Sequence, residues 1–182
     1  PKDPLEDVET WSESVDKVLS CKAGQIAFRE FLKSEYSEEN ILFWIACEEY
    51  KKIKTTPEMI SSANRIYSEF VQTEAPRQIN IDCGTRENIT KNISQPSLTS
   101  FDSAQKLIYS LMARDCYPRF LKSHMYQGLL RRNDSSDQED KTTTAKGKGE
   151  NASALCPCGI FPQHLSCVGS LYFLKRNCVN PL

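Results

Sequence analysis

The side chains able to do chemistry on their own are few. Only two histidines, His124 and His164, stand in the 182-residue chain, so an imidazole-based acid–base or metal mechanism has little to build on. No H-E-x-x-H, G-x-S-x-G or Walker-type phosphate loop occurs, and Gly147-Lys148-Gly149 has no strand before it to form a cradle. No hydrolase or kinase site is visible. Cys156, Cys158, His164, Cys167 and Cys178 supply metal-type donors. Their spacing matches no common zinc module, so they are read as part of a tail with no metal and no cofactor; a zinc-dependent tail module is the reading kept beside it.

The polar residues at helix junctions are more informative. Glu35, Glu39 and Asn40 lie at the turn into the most apolar helix, Asn80 lies in a loop between two helices, and Asp115 and Arg119 flank Pro118. One reading is capping plus an i,i+4 ion pair between Asp115 and Arg119, about 0.3–0.5 kcal/mol if exposed. The other is a partner-docking surface, because three polar junctions converging at one end of a bundle put function on loops held by a rigid scaffold.

The elements that position these residues follow from periodicity. From Ser34 to Lys52 the chain joins an acidic helix start to its longest apolar run, Ile41 to Cys47. Ser37 is expected to cap, Glu38 and Glu39 suit the positive end of the dipole, and Lys51, Lys52 and Lys54 suit the negative end. Ile41, Trp44 and Ile45 form one stripe; Phe43, Ala46, Cys47, Tyr50 and Ile53 form another, so this helix needs neighbours on several sides. Before it, Thr10 and Glu13 suggest a capping box for a helix carrying Trp11, Val15, Val18 and Leu19, and a second helix follows Gly24. After it come a helix with Pro57 in its first turn, a surface loop over residues 77–84, a short helix from Thr85 to Ile93, and a longer one from Phe101 to near Asp115. Pro118 is expected to interrupt the pattern before one or two last helices. The default architecture is an all-α bundle.

Composition sets limits. A formal net charge of −1 gives no global field to gather nucleic acid or anionic membrane. The longest apolar run is far below the roughly 20 residues that span a bilayer. The chain opens on Pro1, read as a trimmed start, and Pro1 to Glu9 is not a signal peptide; an amino-terminal targeting element is a candidate for what is missing. Cys21, Cys47, Cys83 and Cys116 sit in unlike settings and are read as reduced, packed thiols, which makes the glycosylation sequons, such as Asn88-Ile89-Thr90, chance matches. Residues 131–154 hold nothing apolar larger than alanine and are expected to be disordered, and the part after them, with Leu171 to Leu174, lacks periodicity.

Four blocks carry a family resemblance: Phe31 to Ile41, Phe43 to Lys52, Ala75 to Asp82, and Tyr117 to Ser123. Together they resemble the RGS domain, the regulator of G-protein signalling module, in its small single-domain subfamily. The resemblance covers about Trp11 to Leu130, giving an organisation of lead-in 1–10, domain 11–131 and tail 132–182. It implies a nine-helix, two-lobed fold that binds GTP-loaded heterotrimeric G-protein α subunits, of Gi/o or Gq type, and speeds GTP hydrolysis to end receptor signalling, without chemistry of its own. The alternative it leaves is a binding-only antagonist of effectors.

By the same resemblance Glu35, Tyr36, Ser37, Glu39 and Asn40 form one wall of the docking surface, and Asn80 steadies a switch glutamine. Leu111, Asp115, Cys116 and Arg119 cup a switch threonine, with Arg119 orienting the Asp115 carboxylate. Cys116 departs from the serine the family usually shows, replacing a good donor with a weak one. Lys33, Lys51, Lys52 and Lys54 resemble a site for acidic phospholipid and calmodulin, against the plainer reading of solvated helix-end charges. Cys47 resembles a lipidation position, against a packing role. A cytoplasmic monomer, peripherally associated with the inner face of the plasma membrane, is implied. The tail after Arg131 is read as a variant terminus.

Overall fold

A computed structural model of the chain describes residues 8–136, and among the described residues no strand occurs. A 3-10 turn at Glu9–Ser12 buries Trp11 and leads into helix α1, Val15–Ser20. The capping box expected at Thr10 is replaced by a cap one turn later, where extended Ser14 accepts from the Lys17 amide at 3.3 Å. One extended residue, Cys21, separates α1 from α2, Lys22–Ser34, and its sulfur accepts from the Gly24 amide at 3.2 Å. Gly24 therefore sits inside the first turn of α2 rather than before it. A Cβ there would meet the Val18 carbonyl oxygen at 2.3 Å, so glycine is what lets α1 and α2 close on one another.

Helix α3, Glu39–Tyr50, is the apolar one: Ile41, Phe43, Cys47 and Tyr50 are buried, and Trp44, Ile45 and Ala46 pack partly against the same core. Helix α4, Thr56–Ile66, starts with Pro57 in its first turn as expected and widens into a π turn at Tyr67–Val71. An irregular connection buries Ile79 and Ile81 and ends at Asp82, whose carboxylate caps α5, Cys83–Asn92, at the Thr85 amide, 2.8 Å.

Helix α6, Asp102–Leu111, widens into a second π turn, Met112–Cys116, and continues without a break into α7, Tyr117–Lys122. Here the expected interruption at Pro118 does not occur. The π turn moves the Tyr117 amide onto the Met112 carbonyl, and Pro118 then falls in a first turn, where its missing N–H is tolerated. Helix α8, His124–Ser136, closes the described residues and runs past Arg131. Counted as continuous runs, with each π turn joined to its neighbours, the described residues hold seven helices rather than the nine expected.

The helices form two packing groups over one continuous core. In one, α1, α2, α7 and α8 surround Phe28, Phe31, Phe120 and Tyr126, with Phe120 5.2 Å from Phe28 and 5.3 Å from Tyr126 between ring centres. In the other, α3, α4 and α6 surround Phe43, Tyr50, Phe70 and Phe101. Cys21, Cys47 and Cys116 are free thiols, whereas Cys83, exposed at the start of α5, is disulfide-bonded, against its reading as a reduced, packed thiol. The tail readings beyond 136, including the cysteine–histidine group and Leu171 to Leu174, and the lead-in before 8 lie outside the described residues.

Candidate functional site

The end of α2 is built against local preference. The Ser37 amide donates to the Leu32 carbonyl at 2.9 Å and the Tyr36 amide to that of Lys33 at 3.1 Å, the paired bonds of a Schellman stop. That motif needs a left-handed residue at Tyr36, which has φ 55° where glycine is usual, and it leaves the residue 95% exposed. Ser37 does not cap α3 as expected. Its hydroxyl is buried and donates back to the Leu32 carbonyl at 3.3 Å. Glu38, which precedes α3, is instead fixed by Arg29 of α2 at 2.7 Å, and Asn40 in the first turn is buried with its Oδ1 unpartnered among the described residues. An unpaired buried acceptor costs about 1–3 kcal/mol.

The same acidic turn meets the second π turn. Arg119 of α7 donates Nε to Glu35 Oε1 at 2.9 Å and Nη2 to Glu35 Oε2 at 2.8 Å, a bidentate pair. Its Nη1 holds Asp115 Oδ1 at 2.5 Å and the Asp115 carbonyl at 3.1 Å. One guanidinium thus ties the end of α2 to the π turn. The expected Asp115–Arg119 pair is present. Glu35 as its second partner was not legible, because nothing in sequence spacing relates positions so far apart. The hydrogen bonds from Arg119 to Glu35 and then Asp115 push the guanidinium's pKa well above its ordinary value, so it stays charged. Cys116, buried beside it, has its thiol pushed up to about 11, chiefly by burial, and is a neutral weak donor at physiological pH.

Leu111 is half-buried at the end of α6, next to this clamp in the chain. Asn80 stands exposed in the connection before α5, between buried Ile79 and Ile81, and among the described residues it makes no bond to the clamp. The structure therefore brings Glu35, Asp115, Cys116 and Arg119 together, keeps Tyr36, Ser37, Glu39 and Asn40 on the adjoining turn, and presents Asn80 separately. Arg29 and Arg86, the latter donating to the carbonyls on both sides of Asn80, are supporting residues that sequence did not single out.

The family model for the Regulator of G protein signaling domain matches residues 14–129, nearly all of the described helices. The chain belongs to this family. It is 55% identical over 129 residues to Regulator of G-protein signaling 21 of Homo sapiens, covering 71% of this chain and 85% of that protein. It is 54% identical over 125 residues to Regulator of G-protein signaling 8 of Homo sapiens, covering 69% of each. With Regulator of G-protein signaling 5 of Mus musculus the identity is 51% over 130 residues, covering 71% and 72%. The protein is a regulator of G-protein signalling.

In this RGS domain the lysine group is partly neutralised by carboxylates of α3 and α6. Lys51 pairs with Glu48 at 3.3 Å and Asp102 at 3.8 Å, and Lys52 with Glu49 at 2.7 Å, while Lys33 and Lys54 are exposed on separate segments. Cys47 is buried with its thiol pKa raised by burial, so a reagent or acyl donor reaches it only when α3 opens. Among the described residues no metal-ligand cluster occurs, and no helix is long and apolar enough to cross a membrane.

Proposed function

We propose that this RGS domain is a GTPase activator for heterotrimeric G-protein α subunits, acting by binding rather than by chemistry of its own. The observation that carries the reading is the Glu35–Arg119–Asp115 clamp, which makes a rigid rim out of two junctions that are otherwise loop ends. An α subunit already carries an arginine in cis and a water-positioning glutamine. What it lacks is restraint of the mobile loops around the nucleotide, and restraint favouring the transition state lowers the barrier.

In this arrangement Tyr36, Ser37, Glu39 and Asn40 form one wall. Leu111, Asp115, Cys116 and Arg119 form the cup for a switch residue, with Asp115 free to accept because Arg119 holds it from one side. Asn80 offers its amide from the connection before α5. Neither a thiol at about 11 nor a guanidinium held charged can take a proton from water at neutral pH, which fits a role in holding rather than in proton transfer.

Single-turnover GTP hydrolysis by a purified α subunit tests this: Asn80→Ala or Leu111→Asp should abolish most of the acceleration. Variants as active as the parent would overturn the site assignment. A second reading, a binder that blocks effectors without accelerating hydrolysis, draws on buried Cys116, which offers a weak thiol where a hydroxyl would donate well. The same assay separates the two. Titration with α subunits of the Gi/o and Gq types assigns the preferred partner, and vesicles of acidic phospholipid test peripheral membrane association through Lys33, Lys51, Lys52 and Lys54.

A further inference from the structure

We infer that Arg86 is a positioning residue for Asn80, a strut that fixes the direction in which the connection before α5 presents its outward side chain. The inference rests on the reading of Asn80 as a contact to the α subunit.

Arg86 lies in the first part of α5 and is half-buried. Its Nη1 donates to the Val71 carbonyl at the end of the first π turn. Its Nη2 donates to the Ile79 carbonyl at 3.2 Å and reaches the Ile81 carbonyl at 3.5 Å. The two carbonyls on Nη2 belong to the residues on either side of Asn80, so one guanidinium ties both flanks of that residue to the end of α4's π turn. The flanks are held from their other side as well. The Ile79 amide donates to the Phe70 carbonyl at 2.9 Å, and the Ile79 and Ile81 side chains are 1% and 8% exposed. With both neighbours turned inward, an extended chain points the residue between them outward.

The chemistry explains why arginine stands here. A connection with buried flanks carries carbonyls that need donors, and a planar fork with several N–H groups serves acceptors at different places from one position. A lysine ammonium is a point donor and cannot span them. Burial lowers the Arg86 pKa from its ordinary value, against smaller opposing contributions from Tyr67 and Asp82. At the foot of α5 the anchor is rigid: the Arg86 amide donates to the Asp82 carbonyl at 3.1 Å, and Asp82 caps the helix through Thr85. Among the described residues Asn80 makes no bond that would fix it from outside, so its orientation is inherited from these flanks.

The test is a double-mutant cycle in single-turnover GTP hydrolysis with the full chain. R86K should slow the maximal rate by about tenfold to a hundredfold, the cost of misplacing a contact group by about an ångström. The chain concentration giving half-maximal acceleration should move much less. N80A should show a similar loss, and R86K combined with N80A should be no worse than N80A alone, because a strut has nothing to position once its cargo is gone. Side-chain amide resonances of Asn80 should broaden or split in R86K and stay unchanged in K54A. If R86K runs at full rate beside a slow N80A, or if the two losses multiply, the strut is overturned while the proposed function stands. If N80A alone runs at full rate, the site assignment of the proposed function fails, and the strut's functional role with it. Melting curves accompany each variant. If R86K is unfolded at the assay temperature, R86Q, which keeps a planar donor, takes its place under the same criteria.

Discussion

Arg119 and Glu35, 84 residues apart in the chain, share two parallel hydrogen bonds, Nε to Oε1 at 2.9 Å and Nη2 to Oε2 at 2.8 Å. The pair is partly exposed, with 42% and 25% of the two side chains open to solvent, so its direct worth to folding is at most about 1 kcal/mol. Its value lies in geometry. With Nη1 on Asp115, the guanidinium sets the separation between the end of α2 and the second π turn.

Arg119→Lys keeps the charge and loses the fork. Expected are a fall in stability of about 1 kcal/mol or less and a fall in α-subunit affinity of about tenfold or more, from the loss of charge-assisted bonds that orient Asp115. Thermal melting and a binding titration on the same samples separate the two effects. A large stability loss with unchanged affinity would show that the clamp serves the fold alone.

Tyr36 predicts an opposition between stability and function. Relief of a left-handed non-glycine residue is worth about 1–2 kcal/mol, less about 0.5–1 kcal/mol for the freedom glycine gains in the unfolded chain. Tyr36→Gly should therefore raise the urea midpoint by a small, measurable amount, while removing an aromatic contact that is 95% exposed and weakening α-subunit binding. A destabilised variant would contradict the reading of the Schellman stop.

Cys116 gives a pH dependence with a definite sign. Burial raises its thiol from the ordinary value of 9.0 to about 11 in the folded chain. Between those values the unfolded chain gives up a proton that the folded chain keeps. The stabilisation is present in full below about 9 and is lost as pH rises toward about 11. Urea midpoints at pH 8 and pH 10.5 should fall less steeply in Cys116→Ser than in the parent. The same variant restores a hydroxyl donor, and acceleration of GTP hydrolysis should be equal or greater.

Gly24→Ala tests the fold without touching the clamp. Placing a methyl 2.3 Å from the Val18 carbonyl oxygen forces α1 and α2 apart, and a loss of about 1–3 kcal/mol is expected in denaturant melts. No loss would mean that the two helices can separate freely.

Much of this arrangement was legible in the residues. The double stripe of α3 was visible because Ile41, Phe43, Cys47 and Tyr50 recur at helical spacing, and they are buried. Pro57 opened α4 as its type predicts. Misreadings came where a local rule met a tertiary alternative. Pro118 reads as a break until a π turn shifts the hydrogen bonds ahead of it, and a π turn has no sequence signature. Ser37 reads as a cap by residue type, yet burial turned its hydroxyl to a carbonyl behind it. At the site, the i,i+4 spacing of Asp115 and Arg119 gave their pairing. Glu35 as the third member, and Arg86 beneath Asn80, depend on contacts across the chain or into loop carbonyls that no periodicity encodes.

The central claim is that a rigid rim restrains another protein's catalytic loops at the moment of reaction. It is tested most directly by titrating the chain against one α subunit in two states, loaded with a slowly hydrolysed triphosphate and loaded with diphosphate plus a transition-state mimic. Binding to the second should be tighter by on the order of a hundredfold. Equal affinity for the two states, or preference for the plain triphosphate form, would contradict it.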